Sequence, residues 1–187
     1  MNLSDEEIGQ RISINTNMHK EKITMNKIDQ AFIKMVEFDA GDACRIQHFT
    51  KVYQYAHLIG VMEGLDEMCQ QNLELAAIVH DIGILPAERK HGRQNGKMQE
   101  EIGPKYARKL LEEICVEEEI IERVEFLVGH HHTYKGVNAM DWQILLEADF
   151  LVNSLEDEMS VETVEKTMNN LFKTKAGIHI CRMMYNL

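Results

Sequence analysis

Leu75-Ala76-Ala77-Ile78-Val79-His80-Asp81 is the stretch on which the reading of this chain turns. Five apolar residues run without a break into an imidazole and a carboxylate. Leu73, Ala76, Ala77 and His80 keep helical spacing, so the run is a buried helix, and Gly83 and Pro86 stop it. A buried imidazole beside a buried carboxylate needs partners, because an unpaired charge inside a protein is very costly. A metal ion satisfies both at once. Adjacent helix residues splay about 100° apart, so both reach one ion only near the end of the helix. The small side chains of Ala76 and Ala77 let a second helix approach closely.

Outward from this segment the chain reads as helical. It has 187 residues, of which only 11 are Gly and 2 Pro, and that scarcity favours long helices over a turn-rich β fold. Ser4-Asp5-Glu6-Glu7 has the form of a capping box. A firmer helix runs from Asn26 through Ile28, Phe32 and Met35 to Gly41. Asp42 caps a helix over about 43 to 63, with Ile46, Phe49, Tyr53 and Ala56 on one stripe. Residues 86 to 98 are basic and read as a loop, with Pro104 expected at a helix start. Ile120, Val124 and Leu127 form a helix that ends in His130-His131-His132. Asp141 and Ser160 are expected to cap two further helices, and a short one is expected near 178 to 185. No stretch alternates as a strand and no heptad is sustained. The expected fold is an all-α orthogonal bundle in one domain, 1–187. Residues 1–25 are expected as a looser extension and 45–152 as the core around the site.

Charge and composition exclude several classes. Twenty Lys and Arg stand against 31 Asp and Glu, a net charge of −11, which argues against a nucleic-acid surface. No apolar run exceeds Leu75–Val79, far short of the roughly 20 residues of a membrane span. The opening Met-Asn-Leu-Ser-Asp-Glu-Glu has no basic segment or apolar core, so no signal peptide is expected. Cys44, Cys69, Cys115 and Cys181 are scattered without a Cys-x-x-Cys pair. Reduced thiols in a cytoplasmic protein are expected. Homo-oligomerisation stays open.

Nine histidines carry the chemical signal. His48 and His57 lie about 180° apart on their helix, so they cannot serve one site. His48 is preferred because Arg45, three residues before it, can hold a phosphate nearby. His57 reads as a surface or packing histidine. Asp149, within Leu145-Leu146-Glu147-Ala148-Asp149-Phe150-Leu151-Val152, is a carboxylate in an apolar stretch, hence a paired or metal-bound group; Glu147 is expected to face solvent. The loop residues Arg89, Lys90, Arg93 and Lys97 offer positive charge that could close over an anionic substrate. Gly92-Arg93-Gln94-Asn95-Gly96-Lys97-Met98 is not a phosphate loop, since its spacing is short and Met replaces Ser or Thr. No His-Glu-x-x-His is present.

His48, then His80-Asp81, then Asp149, in this order and on apolar helices, resembles the signature of the HD-domain metal-dependent phosphohydrolases over about residues 45 to 152. The resemblance implies an all-helical fold and a divalent metal (Fe, Mn, Zn, Ni or Mg) held by His48, His80, Asp81 and Asp149. Gly129-His130-His131-His132-Thr133-Tyr134-Lys135-Gly136 is similar to the His-His segment of two-metal members. By that likeness His130 and His131 hold a second ion and His132 sits beside the site. Ile84 replaces the Lys of the HD-GYP pattern, Gly103-Pro104 replaces its His-Pro, and Gly-Tyr-Pro is absent. Glu100 is the nearest carboxylate that could replace the missing histidine. Cyclic dinucleotide cleavage is therefore not expected.

Ligands of this kind suit a divalent ion that acidifies water and neutralises phosphate charge. The expected reaction is hydrolysis of a phosphate ester of a small metabolite, such as a nucleotide. Asp81 orients the attacking water, Arg45 and Asp81 are catalytic, and Lys97 and His132 bind substrate. Two rivals stand beside it: a di-iron oxygenase on the same scaffold, which needs an intact His-His pair, and a non-catalytic module that binds a nucleotide or metal.

Overall fold

Short polar side chains start most of the helices of this protein. A computed structural model describes residues 25–187; the Ser4–Glu7 capping box lies outside them. Asn26 accepts from Asp29 N to start α1 (Lys27–Phe38). Asp42 accepts from Arg45 N to start α2 (Ala43–Glu63), which ends at Gly64 in the left-handed region, φ 73°. Asp66 caps α3 (Glu67–Val79) through Cys69 N. These contacts satisfy N–H groups that the helix itself leaves without acceptors. There follow α4 (Ile84–His91), α5 (Gly96–Glu113), α6 (Glu118–Val128), α7 (Met140–Glu156), α8 (Val161–Leu171) and α9 (Lys175–Tyr185). No strand occurs among the described residues, and the all-α bundle expected from the sequence is the architecture found.

Two helices form the interior. In α3 every residue from Asn72 to Val79 is buried, and α7 is buried along most of its length. α2 packs across both, α6 and α5 pack against one another, and α6 also closes on α3. The C-terminal end of α3 therefore lies at the centre of the fold, close to α2, α6 and α7. The four cysteines are free thiols. No helix among the described residues is long and apolar enough to cross a membrane.

Five local expectations are corrected. Of the loop expected over 86–98, residues 86–91 belong to α4 and 96–98 to α5; Pro86 lies in the first turn of α4, where its missing N–H costs nothing. Pro104 lies inside α5, because Asn95 captures Met98 N and starts that helix at Gly96. Asp141 is not a cap. Its carboxylate is committed to the Arg123 guanidinium by two bonds of 2.7 and 2.6 Å, one residue into α7. Glu147 is buried, not solvent-facing. It accepts from Gln143, from the Lys173 and Thr174 amides and from the Thr174 hydroxyl, so it holds the start of α9 against α7. The C-terminal helix also starts earlier than expected, at Lys175, because Thr174 accepts from Gly177 N.

Candidate metal centre

His80 is the C-cap residue of α3, and Asp81 follows in the turn, so both side chains point off the helix end toward one place. His48 arrives from α2 and Asp149 from α7. The His48 and His80 Nε2 atoms lie 3.2 Å apart. Asp149 Oδ1 is 3.4 Å from the first and 3.5 Å from the second. Asp81 Oδ2 is 3.7 and 3.6 Å from the same two atoms. These four residues, remote in sequence, converge on one place.

The far side of each ring fixes its proton. His80 Nδ1 donates to the Ala77 carbonyl at 2.9 Å, and a carbonyl can only accept. His48 Nδ1 donates to Glu156 Oε2 at 2.9 Å. His131 Nδ1 donates to the Val128 carbonyl at 2.7 Å. Each Nε2 is thereby left with a lone pair aimed inward, the arrangement that orients a metal-binding histidine. Two inward lone pairs 3.2 Å apart, ringed by carboxylate oxygens, need a cation or a proton between them. The donor set fits a divalent cation of the imidazole- and carboxylate-binding kind.

A second group shares Asp81. Its Oδ1 is 3.0 Å from His131 Nε2, and His132 completes a set of three possible ligands. The structure does not bring His130 to either group. Its ring stacks on Phe126 with centroids 4.2 Å apart, and its Nδ1 bonds the Phe126 carbonyl at 2.7 Å. The His-His pair that faces the site is His131-His132. Glu100 also stands aside: its Oε1 accepts from His132 N at 3.0 Å and from Thr133 Oγ1 at 2.9 Å, so it holds the turn that presents these histidines.

The electrostatics follow from these contacts. Burial opposes a charge on His48, but Asp149 and Asp81 beside it win and raise its pKa to about 9. His80 is raised against its burial by Asp81 and Asp149. Burial would raise Asp81, yet His80 and His131 hold it down at about 2. Asp149 is held well below the carboxylate range by the two imidazoles, again against burial. Burial, then His131, lowers His132.

A cavity of about 820 Å³ opens over the centre, and Arg45, His48, Lys51, Asp81, Gln99 and His132 are among its walls. Arg45 lines it, and its guanidinium is already held by Asp39, Asp42 and Glu88 at 3.4, 3.2 and 3.0 Å. Lys97 does not line it; that side chain is exposed and faces Glu101 at 3.8 Å. Arg89 and Lys90, in the last turn of α4, and Arg93, just beyond it, are likewise exposed and outside the cavity walls. His57 lies on the opposite face of α2 and bonds Glu74 at 2.7 Å.

Three contributors escaped the sequence reading. Glu156 holds His48, and its position seven residues after Asp149 puts it on the same face of α7. Lys51, three residues after His48, pairs with Glu156 at the cavity wall. Gln99 bonds His132 Nε2 and Gln94 from within α5. Only Lys51 and Glu156 had a spacing signal, and both read equally well as surface charges.

A helical bundle whose interior gathers His48, His80-Asp81 and Asp149 around one point has a His/Asp cluster able to hold a metal ion. The chain belongs to the HD-domain family, whose model, described as HD domain, matches residues 45–167. The crystal structure of a predicted HD superfamily hydrolase from an uncultured Thermotogales bacterium is similar in fold. Its TM-score is 0.61 at 22% identity, over 84% of each chain. No curated protein matches the sequence.

Proposed function

We propose that the protein is a cytoplasmic, metal-dependent phosphohydrolase acting on a phosphate ester of a small metabolite of the nucleotide kind. One observation carries the reading: the His48 and His80 Nε2 atoms lie 3.2 Å apart, with Asp81 and Asp149 within 3.7 Å, and His48 and Asp81 line an open cavity. The HD superfamily hydrolase of similar fold agrees with hydrolysis in kind.

His48, His80, Asp81 and Asp149 would hold one ion, and Asp81, His131 and His132 a second. A bound divalent ion supplies Lewis acidity, acidifying water and offsetting phosphate charge. The residues do the rest. Asp81, ionised throughout the neutral range, accepts a hydrogen bond from the attacking water and orients it. Arg45, kept in place by its three carboxylates, and Lys51 present N–H groups to phosphate oxygens. His132, at the cavity wall, borders the substrate.

The test is elemental analysis of the native protein joined to a phosphate-ester screen with and without chelator. The reading requires a stoichiometric divalent metal and phosphate release that chelator abolishes. A metal-loaded protein that releases no phosphate from any ester, or that consumes oxygen with substrate after anaerobic iron loading, refutes it.

A further inference from the structure

The walls of the cavity are acidic, and this bears on what can enter. Four carboxylates line it, Asp42, Asp81, Glu156 and Asp157, against two cations, Arg45 and Lys51. Each cation is partly neutralised by carboxylates already beside it. Arg45 is shared among Asp39, Asp42 and Glu88, and Lys51 is paired with Glu156. Asp149 adds a further negative charge beside the two histidines. Among the described residues, no other Lys or Arg lines the cavity; the basic segment around Arg89 and Arg93 faces outward. The remaining polar walls include neutral amides, Gln47, Gln94, Gln99 and Asn153.

One or two divalent ions would bring this wall close to neutral and leave little positive charge over. Enzymes that grip polyphosphates commonly add Arg and Lys clamps to their divalent ions. Here such a clamp is missing from the described walls, and neutral amides stand where it would be. Resting on the phosphohydrolase reading, we infer that the site is selective for a phosphomonoester with an uncharged, hydroxyl- or amide-bearing remainder. A nucleoside monophosphate fits this description. Nucleoside di- and triphosphates are rejected, because each added phosphate meets the acidic rim of Glu156 and Asp157. Electrostatic repulsion in a walled cleft is less screened than on an open surface, so the discrimination is substantial.

Asp157 is the lever for a test. It is exposed at the C-cap of α7, with its carboxylate at the negative end of the helix dipole, so its replacement does not threaten the fold. The probes are adenosine mono-, di- and triphosphate at fixed free Mn²⁺ and constant ionic strength. Both phosphate release and equilibrium binding to the Mn²⁺-loaded protein are measured. The expected result is a preference for monophosphate over triphosphate of at least about tenfold. Asp157→Lys is expected to shrink that ratio severalfold. Glu122→Lys, the same charge change on the exposed face of α6 and outside the cavity, is expected to leave it unchanged.

A triphosphate handled as well as the monophosphate overturns the inference, and so does an equal shift from Asp157→Lys and Glu122→Lys. Absence of any phosphate release with the expected order of binding would sink the hydrolase reading and leave the charge selectivity standing. Release with the opposite order would do the reverse.

Discussion

Glu156 Oε2 lies 2.9 Å from His48 Nδ1, on the side of the ring away from His80. The last residue of α7 thus sets the tautomer of a histidine on α2, and its other oxygen takes Lys51. Carboxylates behind metal-binding histidines typically carry 10- to 100-fold in metal affinity. Glu156→Ala is expected to weaken Mn²⁺ or Zn²⁺ binding by about that factor with little change in the thermal midpoint of the chelated protein. Glu156→Gln, whose amide oxygen can still accept from Nδ1, should recover part of the loss. Competition against a chromophoric chelator measures both; unchanged affinity in the Ala variant would remove Glu156 from the site.

Asp81 is the residue common to both groups of possible metal ligands. Asp81→Ala is expected to lower bound metal at least about tenfold and to abolish hydrolysis. His57→Ala is the contrasting variant, since His57 faces Glu74 on the other side of α2. It should keep full metal content and lose about 1 kcal/mol of stability with its hydrogen bond. Elemental analysis after desalting checks the pair, and an empty site in the His57 variant with a full one in His48→Ala would reverse the assignment of the α2 face.

The pH behaviour of the metal-free protein has a definite sign. His48 is raised from the ordinary 6.5 to about 9 by Asp149 and Asp81, despite its burial. The stabilisation from protonated His48 is complete below about pH 6.5 and is lost as pH rises through about 9. It is of the order of 2–3 kcal/mol. Metal uptake has to displace that proton, so affinity tightens with rising pH up to about 9 and protons are released on binding. Urea unfolding of chelated protein at pH 6 to 9.5 should show falling stability, while the metal-loaded protein shows a smaller fall. Titration calorimetry in two buffers of different ionisation enthalpy counts the protons. A flat chelated profile would contradict the His48–Asp149 pairing.

Two glycines let α5 approach the turn that carries Asp81. A Cβ on Gly83 would lie 2.9 Å from the Gln99 carbonyl oxygen and 2.9 Å from Gly103 N, both backbone atoms with nowhere to go. Gly83→Ala is therefore expected to cost about 1–3 kcal/mol and to displace the turn holding His80 and Asp81. A lower urea midpoint at unchanged m-value, together with weaker metal binding, is the expected pair of observations.

Burial of a charge is also testable at Arg123 and Asp141, joined by two bonds at the start of α7. Asp141 is 3% exposed. Arg123→Met strands its carboxylate and should cost about 3–5 kcal/mol, whereas the double variant Arg123→Met, Asp141→Asn should recover much of that. Equal losses from the single and double variants would show that the pair acts only by packing.

How much of this was legible along the chain is clearest at particular residues. The apolar periods of α2, α3 and α7, and the caps Asp42 and Ser160, are local facts, and local facts are what a sequence records. Asp141 looked like a cap because a cap is judged from its neighbours, but Arg123, eighteen residues earlier, claimed its carboxylate. Glu147 looked solvent-facing for the same reason, until the amides of Lys173 and Thr174 reached it.

His48, His80, Asp81 and Asp149 were readable as donors because an ionisable group on an apolar helix has few other reasons to be there. Which member of His130-His131-His132 turns inward was not readable. The three differ only in the direction their carbonyl and ring take at the end of α6. Stacking on Phe126 draws His130 outward, while Glu100 and Gln99 hold His132 toward the cavity. Helix identity and donor chemistry are set by residues within a turn or two of one another, so the sequence determined them alone. Ring orientation, the shared role of Asp81 and the acidic rim arise between α2, α3, α5, α6 and α7. Contacts between helices distant in the chain have no local periodicity, so only the tertiary structure decided them.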